Sequence, residues 1–369
     1  MHSSASDWSH LLSKPWKPAN HTGGSVPELP DAVVERPSRE SGLRILSMGA
    51  GVQSTALMML AAEGRIPSFD FAIFADTGWE PKEVYAHLER VIREIAEPAG
   101  IPVIKVSNGD LRLDSLSEDY TTVLPLFLRN PDGGTGLLSR QCTQNYKLLP
   151  IYRYVRKCLG AAVSSHQCNA CKGAGVRVPP SRDGIVRGEV GECSVCRGSG
   201  SRERVGPISH DCWPVTMAIG FSVDEVERVA PSRRRYVTHE YPLLDLGWAR
   251  EDALGYLADR GFESTPRSAC VGCPYHSDRE WIRLREQSPD EWLQAIAFDA
   301  EIRHAPGSSG LRGQAFLHRR LLPLAEAVDQ GGDSVELPGC SPFGCRSAAG
   351  VGSAVEEALL DRDELVDSH

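Results

Sequence analysis

Three groups of residues in this 369-residue chain have types and spacings that could do chemistry. The first is a pair of matching cysteine elements, Cys168-Asn169-Ala170-Cys171-Lys172-Gly173-Ala174-Gly175 and Cys193-Ser194-Val195-Cys196-Arg197-Gly198-Ser199-Gly200. Two CxxCxGxG elements supply four thiolates, the donor set of a tetrahedral Zn²⁺ site, and the glycines let backbone N–H groups turn towards sulfur. The second is Cys270-Val271-Gly272-Cys273, where a tight turn can converge two thiolates on one centre. The third is the glycine turn Gly49-Ala50-Gly51-Val52-Gln53-Ser54-Thr55. Its small residues allow a close backbone approach, and its N–H groups with the following helix N-terminus can face an anion. It is neither a Walker A loop nor GxGxxG, and the residues alone also fit a tight structural turn.

The elements around these residues read as alternating strands and helices. Leu43 to Met48 is a strand, Ser54 to Glu63 a helix stopped at Gly64, and Phe69 to Ala75 a strand ending at Asp76-Thr77-Gly78. Pro81 to Glu97 has a helical apolar face, and Ile101 to Val106 is a third strand. Alternation of this kind predicts a doubly wound, mostly parallel α/β sheet with ligands at the carboxyl ends of its strands. The texture breaks over 164–207, which has little apolar material for a core, and resumes at Trp213. Residues 249–260 and 278–303 are predicted helices, with Trp281 and Trp292 in the core. His87 is expected at the surface. The expected division is a disordered leader over 1–40, a nucleotide domain over 41–163 and 208–330, a zinc-ribbon insertion over 164–207 and a flexible acidic tail over 331–369.

Composition narrows the function classes. The chain is 41% apolar and 24% charged, which is ordinary for a globular protein. Its net charge of -9 argues against a protein that coats duplex nucleic acid, because neutralising phosphates needs concentrated Lys and Arg. No run of apolar residues is long enough to span a membrane, and no signal-peptide pattern opens the chain, so a cytoplasmic setting is expected. In that setting 11 cysteines point to metal or redox chemistry rather than a disulfide framework.

Taken in order, these motifs resemble the adenine nucleotide α-hydrolase-like superfamily, and within it the branch similar to phosphoadenylylsulfate (PAPS) reductase. Gly49 to Ser54 resembles its Ser-Gly-Gly-x-Asp-Ser pyrophosphate loop, with Gly51 and Ser54 matching and Gly49, Ala50 and Gln53 substituted. Asp76-Thr77-Gly78 matches the motif after its second strand. Cys142-Thr143 with Lys147 and Pro150 resembles its Cys-Cys-x-x-x-Lys-x-x-Pro-Leu element, with Thr143 in place of the second cysteine. Gly220 with Asp224, Glu225 and Arg228, then Tyr241-Pro242-Leu243 with Trp248, resemble later family elements. The CxxCxGxG pair resembles half of a DnaJ-type zinc region.

The resemblance implies a nucleotide site for ATP or a sulfonucleotide, with Mg²⁺, built from Ser47, Gly49, Ala50, Gly51, Val52, Gln53, Ser54, Thr55, Asp76, Thr77, Gly78, Gly220, Asp224 and Arg228. Asp76 could equally serve the N-terminus of the helix that follows it. The resemblance further implies a [4Fe–4S] cluster on Cys142, Cys270 and Cys273. Cys158, Cys340, Cys345 and His276 are candidates for a fourth ligand; a zinc site or a simple dithiol stays open for the CxxC. Cys142, with Arg140 and Lys147 beside it, is the implied catalytic group. Cys168, Cys171, Cys193 and Cys196 would hold Zn²⁺. Three functions compete. One is a PP-loop ATP pyrophosphatase that adenylates a nucleobase or nucleic-acid group and adds sulfur taken from a donor protein. The second is a sulfonucleotide reductase, for which the family's C-terminal Glu-Cys-Gly-x-His element is missing. The third is a zinc-ribbon nucleotide-binding protein without catalysis. Lys172, Arg177, Arg182, Arg187, Arg197, Arg202 and Arg204 make the insertion the most basic stretch, able to dock nucleic acid or simply to face solvent.

Overall fold

The computed structural model describes residues 42–116, 124–169, 171–177, 181–182, 185–186, 191–193, 196, 198–208, 214–303 and 313–330. The expected leader and acidic tail, with Cys340, Cys345, Arg187 and Arg197, lie outside these residues.

The first half builds β1 (Leu43–Met48), α1 (Val52–Ala62), β2 (Phe71–Asp76), α2 (Lys82–Val91) and β3 (Val103–Ser107). α2 runs on into a π-helical turn, Ile92–Ala96, so the single predicted helix changes register near its end. A short α3 (Leu111–Ser115) and two strands, β4 (Phe127–Arg129) and β5 (Thr135–Leu137), precede a π-helix over Thr143–Leu148 that continues as α4 (Leu149–Cys158). The insertion then opens with β6 (Val163–Gln167). It carries four two-residue strands, β7 (Val176–Arg177), β8 (Ser181–Arg182), β9 (Ile185–Val186) and β10 (Gly191–Glu192), and closes with β11 (Ser201–Val205). After it come β12 (Val215–Ala218), a 3₁₀-helix over Val223–Arg228, β13 (Val237–Glu240), α5 (Pro242–Asp245) and α6 (Arg250–Ala258). The last described elements are α7 (Asp278–Gln287), α8 (Pro289–Ile302), β14 (Gln314–Phe316) and α9 (Leu324–Asp329). The predicted helix over 278–303 is therefore two helices. Pro289 cannot donate to the ladder and starts a new helix at its own first turn.

The central sheet runs β13-β12-β1-β2-β3, and every pairing in it is parallel. Along β1, Leu43 and Ile45 face one side while Leu46 and Met48 face the other, and all four are buried. Burial on both faces requires cover on both. Leu46, Met48, Ala72 and Phe74 pack with Leu57, Leu60, Val84, Leu88 and Leu257. On the opposite face, Ile45, Phe71, Ile73 and Met217 pack with Ile151, Tyr152 and Val155 of α4. The structure is thus the expected α/β class with a parallel sheet flanked by helices. A further layer of α7, α8 and α9 with the β14-β4-β5 sheet encloses Trp281, Trp292 and Phe298, so both tryptophans are core residues as predicted.

His87 is not at the surface. It is only 8% exposed, and its Nε2 lies 2.9 Å from Thr55 Oγ1 on α1. Burial, reinforced by the Arg90 charge, lowers its pKa to about 4. The folded protein therefore holds His87 neutral while the unfolded chain protonates it near pH 6.5. Stability from this group is present above pH 6.5 and is lost as pH falls towards 4, by about 2–3 kcal/mol. Unfolding free energies from urea titrations at pH 7 and pH 4.5 should differ by that amount more in the parent protein than in His87→Gln.

Candidate functional site

The strand order β3-β2-β1-β12-β13 reverses direction between β1 and β12. In open parallel sheets the crevice at such a switch point is where ligands bind. The glycine turn leaves the carboxyl end of β1 there, and Ile219-Gly220-Phe221 leaves β12 beside it. Ala50 adopts a left-handed φ of 54°. The N–H groups of Gly49 and Gly51 both donate to Ser54 Oγ, at 3.2 and 3.3 Å, and that hydroxyl lies 3.2 Å from the Gly51 carbonyl it donates to. Ser54 thus organises the turn's own backbone. Thr55 is fully buried against His87, and Val52 and Ser47 are also buried.

Across the crevice, Gly220 packs so tightly on α1 that a Cβ there would lie 3.0 Å from Gln53 Cβ. The Gln53 carboxamide donates to Glu225 Oε2 at 2.9 Å and to Ser222 Oγ at 3.4 Å. Glu225 also pairs with Arg228, whose guanidinium sits 4.7 Å over the Phe221 ring. Burial raises the Glu225 carboxyl pKa even against the charge of Arg228. Asp224 is directed elsewhere and accepts the Arg250 N–H of α6 at 3.0 Å. Ser222 and Glu225, rather than Asp224, are therefore the partners of the glycine-turn helix.

The loop after β2 is stitched internally. Asp76 accepts the Gly78 N–H at 2.8 Å and the Tyr85 hydroxyl at 2.7 Å. Thr77 Oγ1 donates to Glu80 at 3.0 Å. Gly78 has φ 75°, and a Cβ there would press on Asp110 Cα at 3.0 Å. This loop and the glycine turn both grip the CxxC segment. The Trp79 carbonyl accepts the Val271 N–H at 2.9 Å, and a Cβ on Gly272 would fall 2.0 Å from the Trp79 ring. A Cβ on Gly51 would lie 3.2 Å from Ser268 Cβ, two residues before Cys270. Ser268, Trp79 and Glu80 have no motif in the sequence that gives them a role. Their one local signal is adjacency, Ser268 to the CxxC and Trp79-Glu80 to Asp-Thr-Gly.

Cys142, more than a hundred residues away in sequence, meets Cys270 and Cys273 at a single narrow cleft that Thr77, Arg140, Thr143 and Lys147 also line. Lys147 lies 3.7 Å from Glu80, and both side chains are buried. Arg140 sits 4.6 Å over the Tyr275 ring. A hydrogen bond with Cys273 and full burial push the Cys270 thiol well up, with Glu80 and Cys142 adding to the shift. A cationic or metallic partner in the cleft would stabilise the thiolates. Among the described residues this trio does not close to single-ion spacing, as the insertion's cysteines do. His276 stays beside the site, its Nε2 3.0 Å from the Cys270 carbonyl. Cys158 packs under the other face of the sheet, with Tyr154 as its hydrogen-bond partner. That position removes it as a fourth ligand.

The insertion brings Cys168, Cys171, Cys193 and Cys196 together. All four are buried, and their sulfurs lie within 4.8 Å of one another. Cys168 and Cys193 are 3.9 Å apart and Cys171 and Cys196 are 3.5 Å apart. A Zn–S bond of about 2.3 Å puts tetrahedral sulfurs roughly 3.8 Å apart, so the set fits one such ion. The Gly175 N–H points at Cys171 Sγ at 3.3 Å. Burial alone would raise the Cys171 thiol, but that N–H and the neighbouring sulfurs outweigh it, and its pKa falls to about 7. Left-handed Gly175 and Gly200 let the two knuckles meet, since a Cβ on either would overlap a carbonyl of the other knuckle. Of the insertion's basic residues, Lys172 is exposed, while Arg202 turns inward to Asn108 at 2.8 Å.

No helix of the described residues is long and apolar enough to cross a membrane. No family model, no curated protein and no solved structure matches this chain.

Proposed function

We propose that the chain is a nucleotide-dependent sulfur-transfer enzyme of the PP-loop type, resembling the PAPS reductase-like branch. The observation that carries this reading is the joint between the two sites. The glycine turn at the switch point rests on Ser268, and the Asp76–Trp79 loop is bonded to Val271, so one short segment, 268–273, packs on a phosphate-type turn and carries two of the three cysteines of the cleft. An enzyme that activates a group with a nucleotide and then delivers sulfur needs those two functions within one cleft.

In this reading the amides at the start of α1 face the phosphates, and Arg228 offers positive charge from the opposite wall. Mg²⁺ would offset the pyrophosphate charge, with Asp76 as an acidic candidate to hold it. Attack by an acceptor oxygen on the α-phosphorus forms an adenylated acceptor as the bond to pyrophosphate breaks. Lys147 and Arg140 hold anionic substrate beside the cysteines. A [4Fe–4S] cluster bound through Cys142, Cys270 and Cys273 would supply an iron able to carry sulfide from a donor protein. The insertion would hold Zn²⁺ and offer its basic residues to a nucleic-acid acceptor.

The test uses anaerobically purified full-length protein with ATP, Mg²⁺, sulfide and a pool of tRNA or DNA. Acceptor-dependent pyrophosphate release with sulfur found in the nucleic acid is the expected result. Sulfite release from PAPS with thioredoxin instead would identify a reductase, and neither activity would leave a binding protein.

A further inference from the structure

The insertion is tied to the edge of the central sheet at one buried side chain. Asn108 follows β3 directly and is 6% exposed. Its Nδ2 donates to the Asn145 carbonyl at 2.9 Å, and its Oδ1 accepts from Arg153 Nη1 and Arg202 Nη2, both at 2.8 Å. Guanidinium groups only donate and a carbonyl only accepts, so these partners fix the orientation of the carboxamide.

Each partner belongs to a different element. Asn145 lies in the π-helix that begins after Cys142 and carries Lys147. Arg153 is on α4, and Arg202 is on β11, the strand that leaves the insertion. The π register explains why Asn145 takes a side-chain donor. Leu149 N–H bonds back five residues to Gln144, so the same register would have Asn145 accept from Pro150. Proline has no N–H, and Asn108 supplies the donor.

Arg202 sits half-buried in the two-stranded stem, opposite His166. The stem pairs β6 with β11 from Val163–Val205 to Gln167–Ser201, yet every residue of β6 is exposed. Among the described residues of the insertion, the buried cluster is the four cysteines themselves. The stem also meets α4 through a Lys157–Glu203 ion pair with an exposed carboxylate, a kind of contact that contributes little, and Val205 at the end of β11 is buried. A module without an apolar core is ordered by its metal.

The geometry points to metal binding by Cys168, Cys171, Cys193 and Cys196 as the event that sets the Cys142–Lys147 helix, through Arg202 and Asn108. Asn108 and Arg202 are then positioning residues, and a soft divalent ion such as Zn²⁺ is the regulator. That this regulates catalysis rests on the sulfur-transfer reading; the coupling itself does not.

Amide hydrogen exchange in the full chain tests it, comparing zinc-loaded protein, chelator-treated protein and zinc-loaded Arg202→Met. Losing a charge-assisted bond to a buried amide should speed exchange at 144–149 by about tenfold or more. Both the metal-free protein and Arg202→Met should show this, with the amides of β1 and β2 unchanged as a control for global unfolding. Arg202→Met keeps all four thiols, so its metal content should stay at one equivalent, and Arg202→Lys should recover part of the protection. Exchange at 144–149 unchanged in both states overturns the coupling, whatever the activity. Faster exchange without metal but not in Arg202→Met overturns the route through Arg202. Absent pyrophosphate release alongside the expected exchange pattern would sink the sulfur-transfer reading and leave the coupling standing.

Discussion

Replacing Cys270 by serine is expected to abolish an oxygen-sensitive iron–sulfur absorbance and to lower sulfur transfer at least about 100-fold, or ~2.7 kcal/mol in the barrier. Serine is nearly isosteric, and the Cys270 side chain is buried between Trp79 and the Cys142 wall of the cleft. The fold should therefore persist, and nucleotide affinity should stay within about twofold, because the glycine turn meets Ser268 rather than the thiol. Cys142→Ser and Cys273→Ser should behave alike. Cys158→Ser should keep the absorbance, since that thiol lies under the opposite face of the sheet beside Tyr154. Iron and acid-labile sulfide analysis of anaerobically reconstituted protein decides the matter. Reconstituted parent protein that contains zinc but neither iron nor sulfide would refute the cluster and leave a dithiol or second zinc site.

The second large effect concerns the insertion. Structural Zn²⁺ sites in small domains contribute apparent binding free energies of about 10–16 kcal/mol at pH 7, nearly all of it spent on folding. Here the four sulfurs are the buried cluster among the module's described residues, so Cys168→Ser or Cys193→Ser should lose the ion and open residues 164–207 to protease. Metal affinity should also fall as pH drops, because each thiolate must protonate on release. Metal analysis beside limited proteolysis reads both effects. Protein purified without chelator that contains no zinc would defeat the assignment. Retained iron–sulfur colour in Cys168→Ser would show that the two centres are independent in occupancy.

Much of this was legible in the sequence because it is local. β1 was read to its end residues, since six consecutive residues with both faces apolar mark a buried parallel strand. The two CxxCxGxG elements announced their own meeting, because thiol spacing and left-handed glycines are properties of short segments. The breaks at Ile92 and Pro289 were harder to place. A register change from α to π and a helix restarted at proline leave the apolar periodicity almost intact, so the pattern reads as one helix.

What the sequence by itself determined is therefore the inventory: which strands are buried, where the turns fall and which cysteines pair by motif. Only the tertiary structure decided how that inventory is spent. The sheet order put Gly220 against Gln53 and gave Gln53 to Glu225, while Asp224 went to the N-terminus of α6. It also carried His87 into the core against Thr55, and it set Asn108 between Asn145 and Arg202, residues 37 and 94 positions away in the chain. Hydrogen-bond partners at such separations are chosen by parallel crossovers and by the need to satisfy every buried polar group, and neither leaves a periodic trace in the chain.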